Sequence, residues 1–95
     1  MRHPVKLPDY ELVAAIYDYD PFTGVLTRKK TGTAVETNDR TTGYHKVRVG
    51  RVTTQLARVA WLLYYKEDPV GFVIRHINGD KRDNRITNLR KVRRR

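Results

Sequence analysis

Cysteine is absent from this chain of 95 residues, which excludes disulfides and thiolate metal centres alike. Histidine is scarce, and His3, His45 and His76 stand at spacings that match no common zinc-ligand pattern. No apolar run approaches the ~20 residues that span a bilayer. The opening residues Met1, Arg2, His3, Pro4, Val5 and Lys6 lead into no signal-like hydrophobic stretch. These absences create the expectation of a soluble, cytoplasmic protein with no membrane partner. Hydrophobic residues make up 39% of the chain, under the roughly 45–50% usual for globular domains, a range that also counts glycine. A chain of this length is expected to form one domain over 1–95, burying roughly two-thirds of its unfolded surface around a small core.

Acidic charge is the other shortage. Twenty Lys and Arg face ten Asp and Glu, a net charge of +10. The excess is uneven: residues 1–70 hold 11 basic and 8 acidic side chains, a balance of +3, while residues 71–95 hold 9 and 2, a balance of +7. A basic segment this dense favours a polyanionic partner, because each neutralised phosphate releases condensed counterions. The chain thus divides into an N-terminal part, 1–70, and a basic C-terminal part, 71–95.

Patterning predicts a first helix over 8–19. Pro8 suits a first turn, Asp9 and Glu11 complement the positive helix end, and Leu12, Ile16 and Tyr19, with Ala15 beside them, share a face expected to meet the core. Asp20 and Pro21 stop it and begin a turn through Phe22, Thr23 and Gly24, followed by a strand over 25–28. Residues 30–42 are polar, without periodicity, and read as a surface loop. A strand over 43–49 puts Val47 and Val49 on one face and Lys46 and Arg48 on the other; Gly50 and Arg51 form a two-residue turn into a return strand over 52–55. A second helix is predicted over 56–65, with Leu56, Val59, Ala60, Leu63 and Tyr64 as its buried stripe and Arg58 and Lys66 at its polar edge. After Asp68 and Pro69, short strands are expected over 72–74 and 89–92.

Between these last strands lies the chemistry. Asn78 with Gly79, and Asp83 with Asn84, are turn signals. An EF-hand loop starting at Asn78 fails, since its required sixth-position glycine falls on Asp83. His76 alone is weak evidence, as a histidine at a strand end is more often structural than catalytic.

The order of residues here is more informative. His76, Ile77, Asn78, Gly79 and Asp80, then Asp83, Asn84, Arg85 and Ile86, then Asn88, Leu89 and Arg90, resemble the core motif of phage-type HNH homing endonucleases. The run from Tyr19 through Gly24 to Thr27 resembles that family's N-terminal turn, and Gly43, Tyr44 and Ala57 to Trp61 resemble its hairpin and middle helix. The resemblance implies an α+β fold: an N-terminal helix, a small antiparallel hairpin, a central helix, then a ββα-metal-like ββ unit lacking most of the last helix, which is expected to begin near Arg95. It also implies His76 as the general base that activates water, with Asn88 tying the loop so as to orient it and Asn84 supporting the loop. A divalent ion, Mg²⁺ or Mn²⁺, normally sits beside the histidine.

The sequence departs from that pattern where the metal is held. The residue before the motif histidine, usually Asp, is Arg75, which offers no acceptor and repels a cation. Asp80 and Asp83 are the remaining weak carboxylate candidates, and the middle helix begins with Ala57 and Arg58 rather than a His-Arg pair. A degenerate nuclease with no resident cofactor is therefore expected, Arg75 binding phosphate where the family holds metal. Lys46, Arg48, Arg51, Arg75, Lys81, Arg82, Arg85, Arg90, Lys91, Arg93, Arg94 and Arg95 are expected to grip duplex DNA. The hairpin over 44–55 could lie in a groove as a β-ribbon. Two alternatives stay open: a working nicking enzyme with substituted ligands, and an inhibitor whose basic face meets an acidic host protein. RNA is a less favoured nucleic-acid partner. A phage origin, and so the cytoplasm of a host cell, follows from the resemblance alone.

Overall fold

Residues 6–35 and 45–93 are described by a computed structural model. The first helix, α1 (Tyr10–Ile16), is shorter than the sequence suggests. At Tyr17 the backbone opens to φ −124° and ψ 148° and continues as strand β1 (Tyr17–Tyr19). β1 pairs antiparallel with β2 (Leu26–Arg28), Tyr17 opposite Arg28 and Tyr19 opposite Leu26. Strand pairing across the Asp20 turn thus overrides a local helical signal, helped by two tyrosines that suit a half-buried strand. The expected core face changes as well. Leu12 is 52% exposed and Ile16 37%, while Val13 and Tyr17 are buried and Tyr10 packs at the core's edge.

The described part of the expected 30–42 loop is not a free excursion. Ala34 bridges to Thr27, and Val35, itself buried, donates its N–H to the Leu26 carbonyl at 2.8 Å. His3, Tyr44, Arg94, Arg95 and the rest of that loop lie outside the described residues.

β3 (Lys46–Val49) and β4 (Val52–Gln55) form the predicted hairpin, Val49 opposite Val52. Alternation buries Val47 and Val49 and turns Lys46 and Arg48 to solvent. The chain passes directly into α2 (Leu56–Tyr65), which buries Leu56, Ala57, Val59, Ala60, Trp61 and Leu62. This face is wider than the predicted stripe and differently centred: Leu63 sits at its edge and Tyr64 is 49% exposed. With roughly 1.5–3 kcal/mol for each large apolar side chain withdrawn from water, α2 anchors the core, and α1, β1 and β4 pack against it. It ends at Lys66, whose left-handed conformation (φ 57°) lets its N–H reach the Leu62 carbonyl.

Arg58 corrects another expectation. Instead of marking a polar edge it is half-buried, donating to the carbonyls of Phe72 at 2.7 Å and Pro69 at 2.8 Å. It thereby fixes the start of β5 (Phe72–His76) against α2. β5 pairs antiparallel with β6 (Leu89–Arg93), in a register running from Phe72 opposite Arg93 to His76 opposite Leu89. A 3₁₀ turn, Ile86–Asn88, leads into β6 and packs on α2. The described residues therefore form an α+β fold of two helices and three two-stranded antiparallel pairs. Among them no helix is long and apolar enough to cross a membrane.

Candidate active site

The β5–β6 connection is long, polar and closed on itself. Asn88 is buried, and both ends of its amide are used. Oδ1 accepts from the Asn78 N–H at 2.9 Å, and Nδ2 donates to Asn78 Oδ1 at 3.0 Å and to the Asp83 carbonyl at 2.8 Å. Asn78 in turn accepts from the Asp80 N–H and donates to Asp83 Oδ2 at 2.9 Å. A buried amide with every bond made is a rigid tie, because releasing any one leaves a desolvated polar group.

His76 ends β5 at the mouth of this loop, half-buried. Its Nε2 lies 2.8 Å from Oδ1 of Asn84, which is only 3% exposed. With the amide oxygen as acceptor, Nε2 carries the proton and Nδ1 keeps the lone pair that a base requires. The sequence offered Asn84 as a turn residue supporting the loop; its contact with the imidazole is the functional feature that sequence reasoning missed. Asn84 is itself held from the far end of the chain. Tyr19 Oη donates to its carbonyl, and Ile86 N–H donates to the Pro21 carbonyl at 3.0 Å. Burial pushes the Tyr19 hydroxyl well above the ordinary phenol range, with the nearby Asp20 and Asp83 carboxylates adding to the shift.

The turn that braces this loop is built for close approach. Asp20 Oδ1 accepts from the N–H groups of Phe22 (2.9 Å) and Thr23 (3.4 Å), and the Gly24 N–H bonds the Asp20 carbonyl at 2.8 Å. Gly24 has φ +78°, and a Cβ there would come within 2.5 Å of the Arg85 nitrogen and 2.6 Å of the Asn84 carbonyl carbon. Both the turn and the motif are legible in the sequence, but nothing in the sequence joins them.

A divalent ion beside His76, as the resemblance implies, needs oxygen ligands. The carboxylates of the loop are otherwise engaged. Asp83 is gripped by Arg85 through Nε (2.8 Å) and Nη2 (2.6 Å), and these hydrogen bonds hold its carboxyl well below the usual range. Asp80 is exposed and accepts from the Arg82 N–H at 3.0 Å. Among the described residues no three of His, Asp and Glu converge on one point. The donor set around His76 in these residues does not fit a carboxylate-held metal.

The basic residues separate into distinct groups. Lys91, expected on nucleic acid, is instead bonded to Glu67 and lies over the Phe72 ring at 4.5 Å, so it serves the fold. Arg85 is tied to Asp83, though its side chain remains half exposed. Lys46, Arg48 and Arg51 are exposed on the β3–β4 hairpin, Arg48 also reaching the Gly50 carbonyl at 3.1 Å. Lys81, Arg82, Arg90 and Arg93 are exposed around the β5–β6 unit. Arg75 is exposed on the face of β5 opposite to Ile74 and His76, in register with Arg90. An open groove beside β5 is lined by Val73, Ile74, Arg75, His76, Gly79 and Lys81, so Arg75 and Lys81 flank the space that His76 borders.

Known proteins match this arrangement. The HNH endonuclease family model matches residues 55–95, from the end of β4 through the whole ββ unit. A solved structure reporting DNA binding and cleavage by the HNH homing endonuclease I-HmuI superposes with a TM-score of 0.65 at 28% identity. The match covers 90% of this chain and 51% of that one, so this chain spans about half the length of that endonuclease. No curated protein matches. The family match over the His76 motif and the structural match over most of the remaining elements agree: residues 55–95 resemble the HNH endonuclease family, and the fold resembles that of an HNH homing endonuclease.

Proposed function

We propose that this chain holds duplex DNA and that its metal-dependent phosphodiester cleavage is lost or strongly weakened. The carrying observation is the composition of the groove beside β5, where His76 is accompanied by Arg75 and Lys81 while the Asp83 carboxylate is committed to Arg85. HNH endonucleases are generally metal-dependent. A divalent ion, Mg²⁺ or Mn²⁺, supplies neutralisation of the phosphate and of the leaving oxygen when bound. Arg75 supplies positive charge without coordinating a cation. His76, oriented by Asn84, retains the geometry of a base, and Asn88 keeps the loop closed around it. Lys46, Arg48, Arg51, Lys81, Arg82, Arg90 and Arg93 supply contacts to backbone phosphates, which position a duplex without reading its sequence. Arg94 and Arg95 extend the same charge. DNA as partner is supported by the likeness to I-HmuI, whose structure concerns DNA binding and cleavage.

Purified protein incubated with supercoiled plasmid and Mg²⁺ or Mn²⁺, beside a His76→Ala control, tests the loss of cleavage. No nicking above the control is expected. Nicking that disappears in His76→Ala overturns the proposal and establishes a working enzyme with substituted ligands. Binding to duplex DNA is expected to weaken steeply with salt. Salt-independent binding, or none, points instead to an acidic protein as the partner.

A further inference from the structure

The register of the β5–β6 hairpin sets two arginines face to face. Arg75 is directly opposite Arg90, both are exposed, and both project from the side of the hairpin that carries Val73 and Val92. Like charges directly opposed across an antiparallel pair disfavour the pairing. Two other cations of this unit are paired with carboxylates: Lys91 with Glu67, and Arg85 with Asp83. Arg75 and Arg90 have no carboxylate partner among the described residues. We propose that Arg75 and Arg90 together form a two-guanidinium seat for one phosphate-type oxyanion, which for this chain is a backbone phosphate of duplex DNA.

The physics of such a seat is favourable. Two planar guanidinium forks fixed by one strand register present several N–H donors to one tetrahedral anion, and the bonds are charge-assisted. The anion converts repulsion between the arginines into attraction of both to a common centre. Val73 and Val92 share that face of the hairpin beside them. The seat is also set apart from the imidazole. Strand alternation turns Arg90 and its partner to the face opposite His76 and Leu89, so the phosphate held there is a neighbour of the one beside His76. Arg75, which also lines the groove beside His76, therefore fixes where the backbone lies relative to the imidazole. The identity of the natural ligand rests on the DNA-binding reading above, whereas the seat itself does not.

Inorganic phosphate tests the seat without DNA. Thermal unfolding is followed in chloride and in phosphate at matched ionic strength, for wild type, Arg75→Gln, Arg90→Gln and the double variant. Lys30→Gln, in the exposed turn after β2, is the control. In dilute chloride the two single variants are expected to unfold about 2–5 °C higher than wild type, because a repulsion has been removed. Phosphate is expected to raise the midpoint of wild type and of Lys30→Gln, with that increment lost in Arg75→Gln and Arg90→Gln. On duplex DNA each single variant is expected to weaken binding about tenfold, and the double variant little further. An equal phosphate increment in every variant, or DNA losses that simply multiply, overturns the seat. A phosphate increment that depends on both arginines, with no DNA binding by wild type, upholds the seat and overturns DNA as its ligand.

Discussion

Asn88 shows how much one amide can hold. It satisfies the Asn78 N–H, the Asn78 side-chain oxygen and the Asp83 carbonyl from a site only 6% exposed. Asn88→Ala leaves these groups desolvated without partners, and the expected loss is about 2–4 kcal/mol of folding stability, measurable by urea denaturation. Asp83 makes a different prediction because it is charged. Hydrogen bonds from Arg85 keep its carboxyl protonating only at unusually low pH in the folded chain. A carboxyl whose folded pKa is depressed contributes stability above its unfolded value of about 3.9 and loses that contribution as pH falls towards the folded value. The stability difference between wild type and Asp83→Asn is thus expected to be constant from about pH 5 to pH 7 and to shrink steadily below about pH 4. A difference unchanged at about pH 2.5 would show that the carboxylate's charge is not what Arg85 stabilises. The sequence offered Asp83 as a weak metal ligand, and the two-residue step to Arg85 carried the opposite meaning.

Between elements, the informative junction is the turn from Asp20 to Gly24 against the loop from Asp83 to Ile86. Gly24 needs a left-handed φ of +78° and has no space for a Cβ against Asn84 and Arg85, whereas Gly50, at φ +60°, has nothing within 4 Å of that position. Gly50→Ala therefore carries only a backbone cost of about 1 kcal/mol. Gly24→Ala is expected to cost about 2–4 kcal/mol and to move the Asn84 backbone. Hydrogen exchange separates the two effects: the Ile86 amide, bonded to the Pro21 carbonyl, should lose protection in Gly24→Ala and keep it in Gly50→Ala. Equal protection would mean that the turn does not brace the loop. The elements themselves were largely legible. The span of α2 and the turn at Gly50 and Arg51 follow from apolar spacing and turn chemistry, and β5 and β6 are each one or two residues longer than expected. α1 was overextended because Tyr19 continues the helical spacing of Leu12 and Ile16 while Tyr17 and Tyr19 also suit strand alternation, and only the pairing with β2 decides between them. The braces were not legible, since Tyr19 and Asn84 are 65 residues apart and each is locally a plain turn or core residue.

At the scale of the whole molecule, the charge count was readable and its partition was not. A net charge of +10 says only that a polyanion is favoured. The fold decides which cations are available to it. Lys91 lies between Glu67 and the Phe72 ring, on the face of β6 that carries Leu89, while Arg82 is exposed in the loop beyond β5. The two residues would count alike in any sequence-based tally, yet their removal should have different consequences. If roughly half of the exposed basic side chains on the hairpin and ββ unit meet phosphates, the plot of log affinity against log salt should have a slope of about −4 to −6. Arg82→Gln should reduce that slope by about 1 and leave the unfolding midpoint nearly unchanged. Lys91→Gln should instead lower stability, by about 1 kcal/mol for the lost contacts with Glu67 and the ring, and leave the slope within error of wild type. Fluorescence anisotropy with a labelled duplex across a salt series, alongside thermal unfolding of the same samples, measures both quantities. A slope reduced equally by the two substitutions would mean that Lys91 leaves Glu67 to meet the phosphate backbone, and that the partition seen in the free chain is rewritten on binding.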